Sequence, residues 1–455
     1  MLPRTARHAG QPRQSIEAAR PSAGALAAAA AALLLVSACA DGPNLGEPGF
    51  VEGFAGAAVA DEPHASLAGR DILAAGGTAG DAAAAMFFAL AVTRPASAGL
   101  MTSGYCIGHE PNADVHLAYR FEAPAAVRGL AAVHARFGLL PWRQAVSAGE
   151  TMARFGVRIS KAFTEDWRAY DGHGEAAVAL YGPAPAVGDR VRNEALAGLL
   201  GQIRLNGAGA FYTGSAAQQM WDAMEDAGIG FDKAAWRRAV PEFQPSQRVE
   251  FGNHDLAFLP FADSPGPAEA AAWPALEDQG VEGLPGLLRQ AGLTWPGTAR
   301  AETSFAAVDR LGGAVACTLT MGEPFGTGQV VAGVFMPAAG MPSTGAVILS
   351  NRPTNVTFGT VTGSGAPGLP PAVMLEVMDD GVPLDSAIAR PRALPYADGR
   401  TLAEPGARPA GGGQSATGSL GQVNGIICTD GLPNYPLTCA AAADPRGKGF
   451  AAIAD

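Results

Sequence analysis

Histidine is scarce in this chain and stops early, with seven in 455 residues and none after His254. A serine hydrolase whose catalytic residues run in an order ending in His therefore has nowhere to finish. No HExxH occurs, which excludes that metalloprotease pattern. No CxxC occurs among the five cysteines, which excludes zinc or redox sites of that spacing. Charge is also sparse: 16% of residues carry it, 42 acidic against 31 basic, for a net −11 with no basic run. That balance argues against nucleic acid as a partner.

What remains is a globular composition, 48% hydrophobic, long enough for two core-sized units or one large layered domain. Sixty Gly and 35 Pro imply many tight turns. At the N-terminus, Arg4, Arg7, Arg13 and Arg20 precede an apolar stretch from Ala25 to Val36. That stretch is too short to span a bilayer and has the layout of a secretory signal peptide. It ends in Leu35-Val36-Ser37-Ala38-Cys39, which resembles a bacterial lipobox with Cys39 as the acylated first residue of the mature chain. The expectation is an exported protein, lipid-anchored on the periplasmic face of a bacterial membrane. Residues 1–38 form the signal, 39–56 a linker, and no later segment is apolar enough to cross a membrane.

Cys428 and Cys439 flank a turn rich in Gly and Pro, which leaves open a hairpin disulfide or two free thiols. Cys106 and Cys317 lie in apolar runs and read as small buried residues. Ala65 to Ala75 has helix spacing and stops at Gly76-Gly77; Asp81 then caps an Ala-rich helix through Val92, which Pro95 ends. Such a pair suits a helical layer buried against a sheet. Farther on, Thr303 to Val308 alternates, Asp309 to Gly313 turns, and Ala314 to Leu319 returns as a buried run. A Thr-Ser pair, Thr303-Ser304, stands at the mouth of this hairpin.

Several short stretches share one resemblance, in the right order over nearly the whole mature chain. They include Pro63-His64, Gly76-Gly77, Asp81-Ala82-Ala83 and Ser97-x-Gly99-Leu100, then Tyr119-Arg120-Phe121-Glu122-Ala123-Pro124 and Ala210-Phe211-Tyr212-x-Gly214. The hairpin itself follows, with Phe325-Gly326-Thr327-Gly328, Thr362-Gly363-Ser364-Gly365 and Pro391-Arg392. Together these resemble the gamma-glutamyltransferase family; His64 alone reads as a helix-start or packing residue. The resemblance implies an α+β fold, the four-layer αββα sandwich of N-terminal-nucleophile hydrolases. Residues 57–302 would correspond to the large subunit and 303–455 to the small one, in one composite domain. It implies an amide hydrolase or acyltransferase that cuts itself before a Thr, whose own α-amine then serves as base. The implied partner is a small gamma-glutamyl or related amide, as in glutathione metabolism, and no cofactor or metal is implied.

Residue by residue, the resemblance makes Arg120 the ligand of the substrate carboxylate, a role that suits a fork-shaped guanidinium. Thr320 would help activate the nucleophile, and Gly363, Ser364 and Gly365 would supply the oxyanion site. The chain departs from the pattern elsewhere. The family's Asn two residues after Thr320 is Gly322, and its Asn-Asn-x-Met-Asp-Asp segment is replaced by Val334 to Ala339. The nucleophile is ambiguous. Counted back from Asp309 without gaps, its place falls on Glu302; dropping one residue puts it on Thr303. A one-residue slip inside a strand turns every side chain to the other face. Two functions therefore follow: an exported amidase acting through Thr303, or an uncleaved, catalytically inactive periplasmic binding or structural lipoprotein.

Overall fold

Small residues in alternation build the centre of the molecule. Ala306, Val308, Ala314 and Ala316 face one way, while Phe305, Ala307, Val315, Cys317 and Leu319 face the other. Both sets are buried, so the hairpin they belong to is covered on both sides. The structure is a computed structural model and describes residues 53–295, 301–409, 412–416 and 418–455. The signal stretch, Cys39 and most of the linker lie outside the described residues.

Thirteen strands form two stacked antiparallel sheets. In chain order they are β1 (Gly56–Ala60), β2 (Ser103–Glu110), β3 (Val115–Phe121), β4 (Glu242–Pro245), β5 (Gln247–Phe251) and β6 (His254–Phe258). After them come β7 (Glu302–Asp309), β8 (Ala314–Thr320), β9 (Ala346–Asn351) and β10 (Val356–Ser364). The last are β11 (Gln422–Leu432), β12 (Cys439–Ala442) and β13 (Phe450–Ala454). The first sheet has the order β13-β1-β7-β8-β2-β3-β4 and the second β12-β11-β10-β9-β6-β5. Both sequence halves thus contribute strands to both sheets. Between the sheets lie Ala57, Val59, Tyr105, Ile107, Ala306, Val308, Ile348 and Ile426.

Helices cover the outer faces. On the first sheet lie α1 (Pro63–Ala74) and α2 (Ala79–Thr93), joined by α3 (Ala126–Phe137) and α4 (Trp142–Phe155). Glu62 caps α1 by accepting from the Ala65 N–H at 3.1 Å, and Pro63 opens the helix where its missing N–H costs nothing. Thr78 caps α2; Asp81 stands three residues later as the other half of the capping box, one turn deeper than the sequence suggests. All of α2 is buried, consistent with its almost wholly apolar sequence. Helices Gly266–Gln279, Leu284–Gln290, Leu369–Met378 and Leu384–Ala389 cover the second sheet. The result is the αββα sandwich, with a helical layer on each side of two sheets.

The cysteines require one correction. Cys106 and Cys317 are not merely small buried residues: they sit opposite each other in the β2–β8 register and form a disulfide. Their apolar surroundings are as expected, but sequence shows no strand neighbours 211 residues apart. Cys428 and Cys439, opposite each other on β11 and β12, are also bonded. By loop-closure scaling the long-range bridge constrains the unfolded chain more. Replacing Cys106 and Cys317 together with Ala should cost about 5 kcal/mol, against about 3 kcal/mol for Cys428 and Cys439, read from urea unfolding.

Candidate functional site

The head of β7 decides which side chains meet. Glu302 pairs with Thr320, Thr303 with Leu319 and Ser304 with Thr318 across the hairpin. Alternation then puts Glu302 and Ser304 on the face toward the second sheet, with Ala306 and Val308, and Thr303 on the helix face with Phe305. Thr320 shares the inter-sheet face with Glu302. The two candidates for the nucleophile's place therefore point to opposite sides of the same sheet.

Glu302 is 5% exposed, and its carboxyl accepts two backbone N–H bonds, from Ser343 and from Gly365, each at 2.8 Å. Burial pushes its pKa up from the ordinary carboxylate range, and the two N–H bonds resist that push. Two N–H groups converging on one carboxyl are the kind of donor set that stabilises an oxyanion. Thr320 donates its hydroxyl to the Ala301 carbonyl at 3.0 Å and accepts from the Gly322 N–H at 3.0 Å.

Of the three residues expected at the oxyanion site, only the Gly365 N–H reaches the head of β7. Gly365 takes a positive φ of 59°, which turns its N–H inward at no steric cost. The Ser364 hydroxyl donates to Asp61 Oδ2 at 3.2 Å, and Gly363 remains in β10, paired with Val423. The same loop is held by the Thr344 hydroxyl, which accepts from the Ala366 N–H at 2.5 Å, and by Glu269, which accepts from the Gly368 N–H at 2.7 Å. Gly322 stands where the family resemblance expects Asn. Its φ is 78°, and an added Cβ would lie 2.6 Å from the Ala338 carbonyl oxygen, so no Asn fits this backbone.

Thr303 belongs to a different cluster. Its hydroxyl is fully buried, donates to Asp61 Oδ2 at 3.2 Å and accepts from Arg94 Nη1 at 3.3 Å. Asp61 also accepts from the Ser304 N–H at 2.8 Å and from Asn424 Nδ2 at 2.7 Å, and it faces Arg94 at 3.4 Å. Arg94 in turn bonds Asp166 at 3.1 Å. Burial works against the Arg94 charge, but Asp166 and Asp61 outweigh it and raise its pKa. Sequence reasoning did not single out Asp61, Arg94, Glu269 or Asn424. The only hint was acidic Asp61-Glu62 before a Pro-led helix in a chain with little charge.

Arg120 lies on β3 in the row Ser304, Thr318, Tyr105, Arg120, three strand spacings or about 14 Å from Ser304. Its guanidinium is already engaged, by Asp263 at 2.7 Å and by Glu122. The Asp263 hydrogen bond leads the effects that raise its pKa.

The sequence profile of the Gamma-glutamyltranspeptidase family matches residues 120–266. Glutathione hydrolase of Aspergillus flavus is 26% identical over 204 residues, covering 38% of this chain and 34% of that protein. Glutathione hydrolase 2 of Arabidopsis thaliana is 27% identical over 230 residues, 43% of this chain and 40% of that protein. The Glutathione hydrolase proenzyme of Escherichia coli K12 is 27% identical over 202 residues, 36% and 35%. Over these stretches the chain is similar to the gamma-glutamyltransferase family, at low identity. Its matches span little more than a third of the length of these relatives. Among solved structures, cephalosporin acylase from Bacillus halodurans superposes with a TM-score of 0.72 at 18% identity, over 90% of this chain and 98% of that one. The structure described as LmbA2991T421A gives 0.66 at 15%, over 89% and 99%. At such identities the likeness is one of fold, and the fold is that of the N-terminal-nucleophile hydrolases.

Glu269, which holds the Gly368 end of the loop, offers a test of this end of the family fold. Burial raises its pKa from 4.5 to about 7, so ionisation favours the unfolded chain, and stability falls as pH rises between those values. Glu269→Gln should remove that slope. Its stability relative to the natural chain should improve by about 3 kcal/mol from pH 4 to pH 8 in urea titrations.

Proposed function

We propose that this family member neither cleaves itself nor transfers acyl groups, and that it serves as an exported, lipid-anchored binding or scaffold protein. One observation carries the reading. Glu302 stands opposite Thr320 on the inter-sheet face, with the Gly365 and Ser343 N–H groups on its carboxyl. This arrangement supports the gapless reading of the family motif, in which Glu302 takes the nucleophile's place. A carboxylate there forms no ester intermediate and fills the donor set that would stabilise one. The altered surroundings agree: Arg120 is paired with Asp263 and Glu122, and Gly322 leaves no room for the family's Asn.

Export and anchoring draw on the sequence before residue 53, with the lipobox-like Cys39 as the anchor. The two disulfides fit an oxidising compartment. Among the described residues no helix is long and apolar enough to cross a membrane.

The competing reading is a Thr303-dependent amide hydrolase for a small gamma-glutamyl or related substrate. It draws on the Asp61 carboxylate, 3.2 Å from the Thr303 hydroxyl, as a proton acceptor. It requires cleavage after Glu302 and a nucleophile on the helix face. Denaturing electrophoresis with N-terminal sequencing of the mature protein distinguishes the two. The proposal expects one intact chain, identical in Thr303→Ala; a smaller fragment beginning at Thr303, abolished by that substitution, would refute it.

A further inference from the structure

A cavity of about 280 Å³ opens between the helices that cover the second sheet. Helix Leu369–Met378 turns one face to it, with Leu369, Ala372, Val373 and Glu376 at helical spacing along that face. Leu284 and Ala387 line it from the neighbouring helices. The room arises where Ala372 and Ala387 supply little volume, in a kind of interior that leaves few voids wider than a water. Its size lies just below the roughly 300–1,000 Å³ of small-molecule sites, which are likewise apolar with a few placed polar groups. Among the described residues, none in its wall hydrogen-bonds Glu302, Thr303 or Asp61. The cavity is a second site.

Its charged groups are unevenly matched. Glu376 is 2% exposed, and its Oε1 meets the Arg390 Nε as an ion pair but lacks an aligned hydrogen bond. Arg390 also faces Glu282 at 3.6 Å, so one guanidinium serves two carboxylates. Arg392 is engaged elsewhere, by Asp444 and by the carbonyls of Ile388 and Gly421. Arg408 is exposed at the rim, and its guanidinium has no ion pair or hydrogen bond among the described residues. The turn that carries it is nonetheless fixed. The Glu404 N–H bonds the Arg392 carbonyl at 2.8 Å, and the Ala407 N–H bonds the Glu404 carbonyl at 3.0 Å. Burial pushes the Glu376 pKa up to about 7, opposed by Arg390 and helped by Asp380 and Glu282. Whenever Glu376 is protonated, the wall and Asp444 together hold one positive charge too many.

We propose that this cavity binds a small carboxylate with an apolar body, its carboxylate between Arg390 and Arg408 and its body on Leu284, Leu369 and Val373. Planar guanidinium groups suit a carboxylate, and Arg408 is a cation that no described residue of the chain neutralises. A cationic ligand would instead meet three guanidinium groups in the same wall. The ligand's charge enters beside Glu376, so Glu376 keeps its proton in the complex and Arg390 passes from Glu376 to the ligand. Binding therefore takes up a proton and weakens as pH rises through the Glu376 pKa. The site gives the binding reading of this chain a place and a ligand class, and it does not rest on the uncleaved state of Glu302.

The full mature chain is titrated calorimetrically with octanoate and with phenylacetate, which separate an alkyl from an aryl source of the same chemistry, and with octylammonium as control. One carboxylate or both should bind, and octylammonium should not. Arg408→Ala, at an exposed side chain, should weaken binding about tenfold with an unchanged thermal midpoint. Ala372→Phe, which fills the cavity, should abolish it. Binding should weaken severalfold from about pH 6 to about pH 8, and Glu376→Gln should remove that dependence. Failure of both carboxylates to bind would overturn the proposal. So would equal binding of octylammonium, or carboxylate binding that Arg408→Ala or Ala372→Phe leaves unchanged. A pH dependence that survives Glu376→Gln would overturn the part given to Glu376. None of these outcomes depends on whether the chain is cleaved before Thr303.

Discussion

The Asp61 carboxylate gathers parts of the chain that lie far apart in sequence. It accepts from the Ser304 backbone and the Thr303 hydroxyl on β7, from Ser364 at the end of β10 and from Asn424 on β11. It also faces Arg94, just beyond the end of α2. One side chain thus links the head of the central strand, the second sheet and the inner helix layer. Taking a charge out of water is costly unless it is paired and hydrogen-bonded, and Asp61 is only 1% exposed. Removing one partner of such a buried pair strands the other charge, at a cost of about 3–5 kcal/mol. The cluster is held in place by its own completeness.

That fixed point determines what the neighbouring residues do. With Ser304 N–H and Thr303 Oγ1 both committed to Asp61, β7 has no freedom to slip by one residue. Thr303 is kept among the helix-side groups, and Glu302 is kept toward the second sheet, where Gly365 and Ser343 receive it. Under the uncleaved reading, the departures from the family pattern at Glu302 and at Gly322 are one change. A carboxylate occupies the donors, and the Ala338 segment closes over the space that an Asn side chain would need.

Much of this was legible in the sequence. The hairpin appeared with its turn in place because Ala306, Val308, Ala314 and Ala316 alternate with larger apolar residues on the opposite face. The Ala-rich helix stood out because it is apolar all round. What could not be read were relations between distant strands. Cys106 and Cys317 show only apolar neighbours in the sequence, and pairing emerges from the order of the first sheet. Asp61, Asn424 and Arg94 are unremarkable polar residues until folding gathers them. The choice between Glu302 and Thr303 was undecidable for the same reason, since strand parity depends on partners such as Leu319 and Thr320 being aligned.

The order of the first sheet also bears on how the molecule comes into being. β1, the first described strand, lies between β7 and β13, so its partners are residues 305–309 and 450–454. A chain emerging from its N-terminus has nothing for β1 to pair with until the hairpin, and then the final strand, have been made. Contacts of such long sequence separation are slow to close. The first sheet therefore closes only when the last strand of the chain has been made, and under the proposed export that strand is the last to cross.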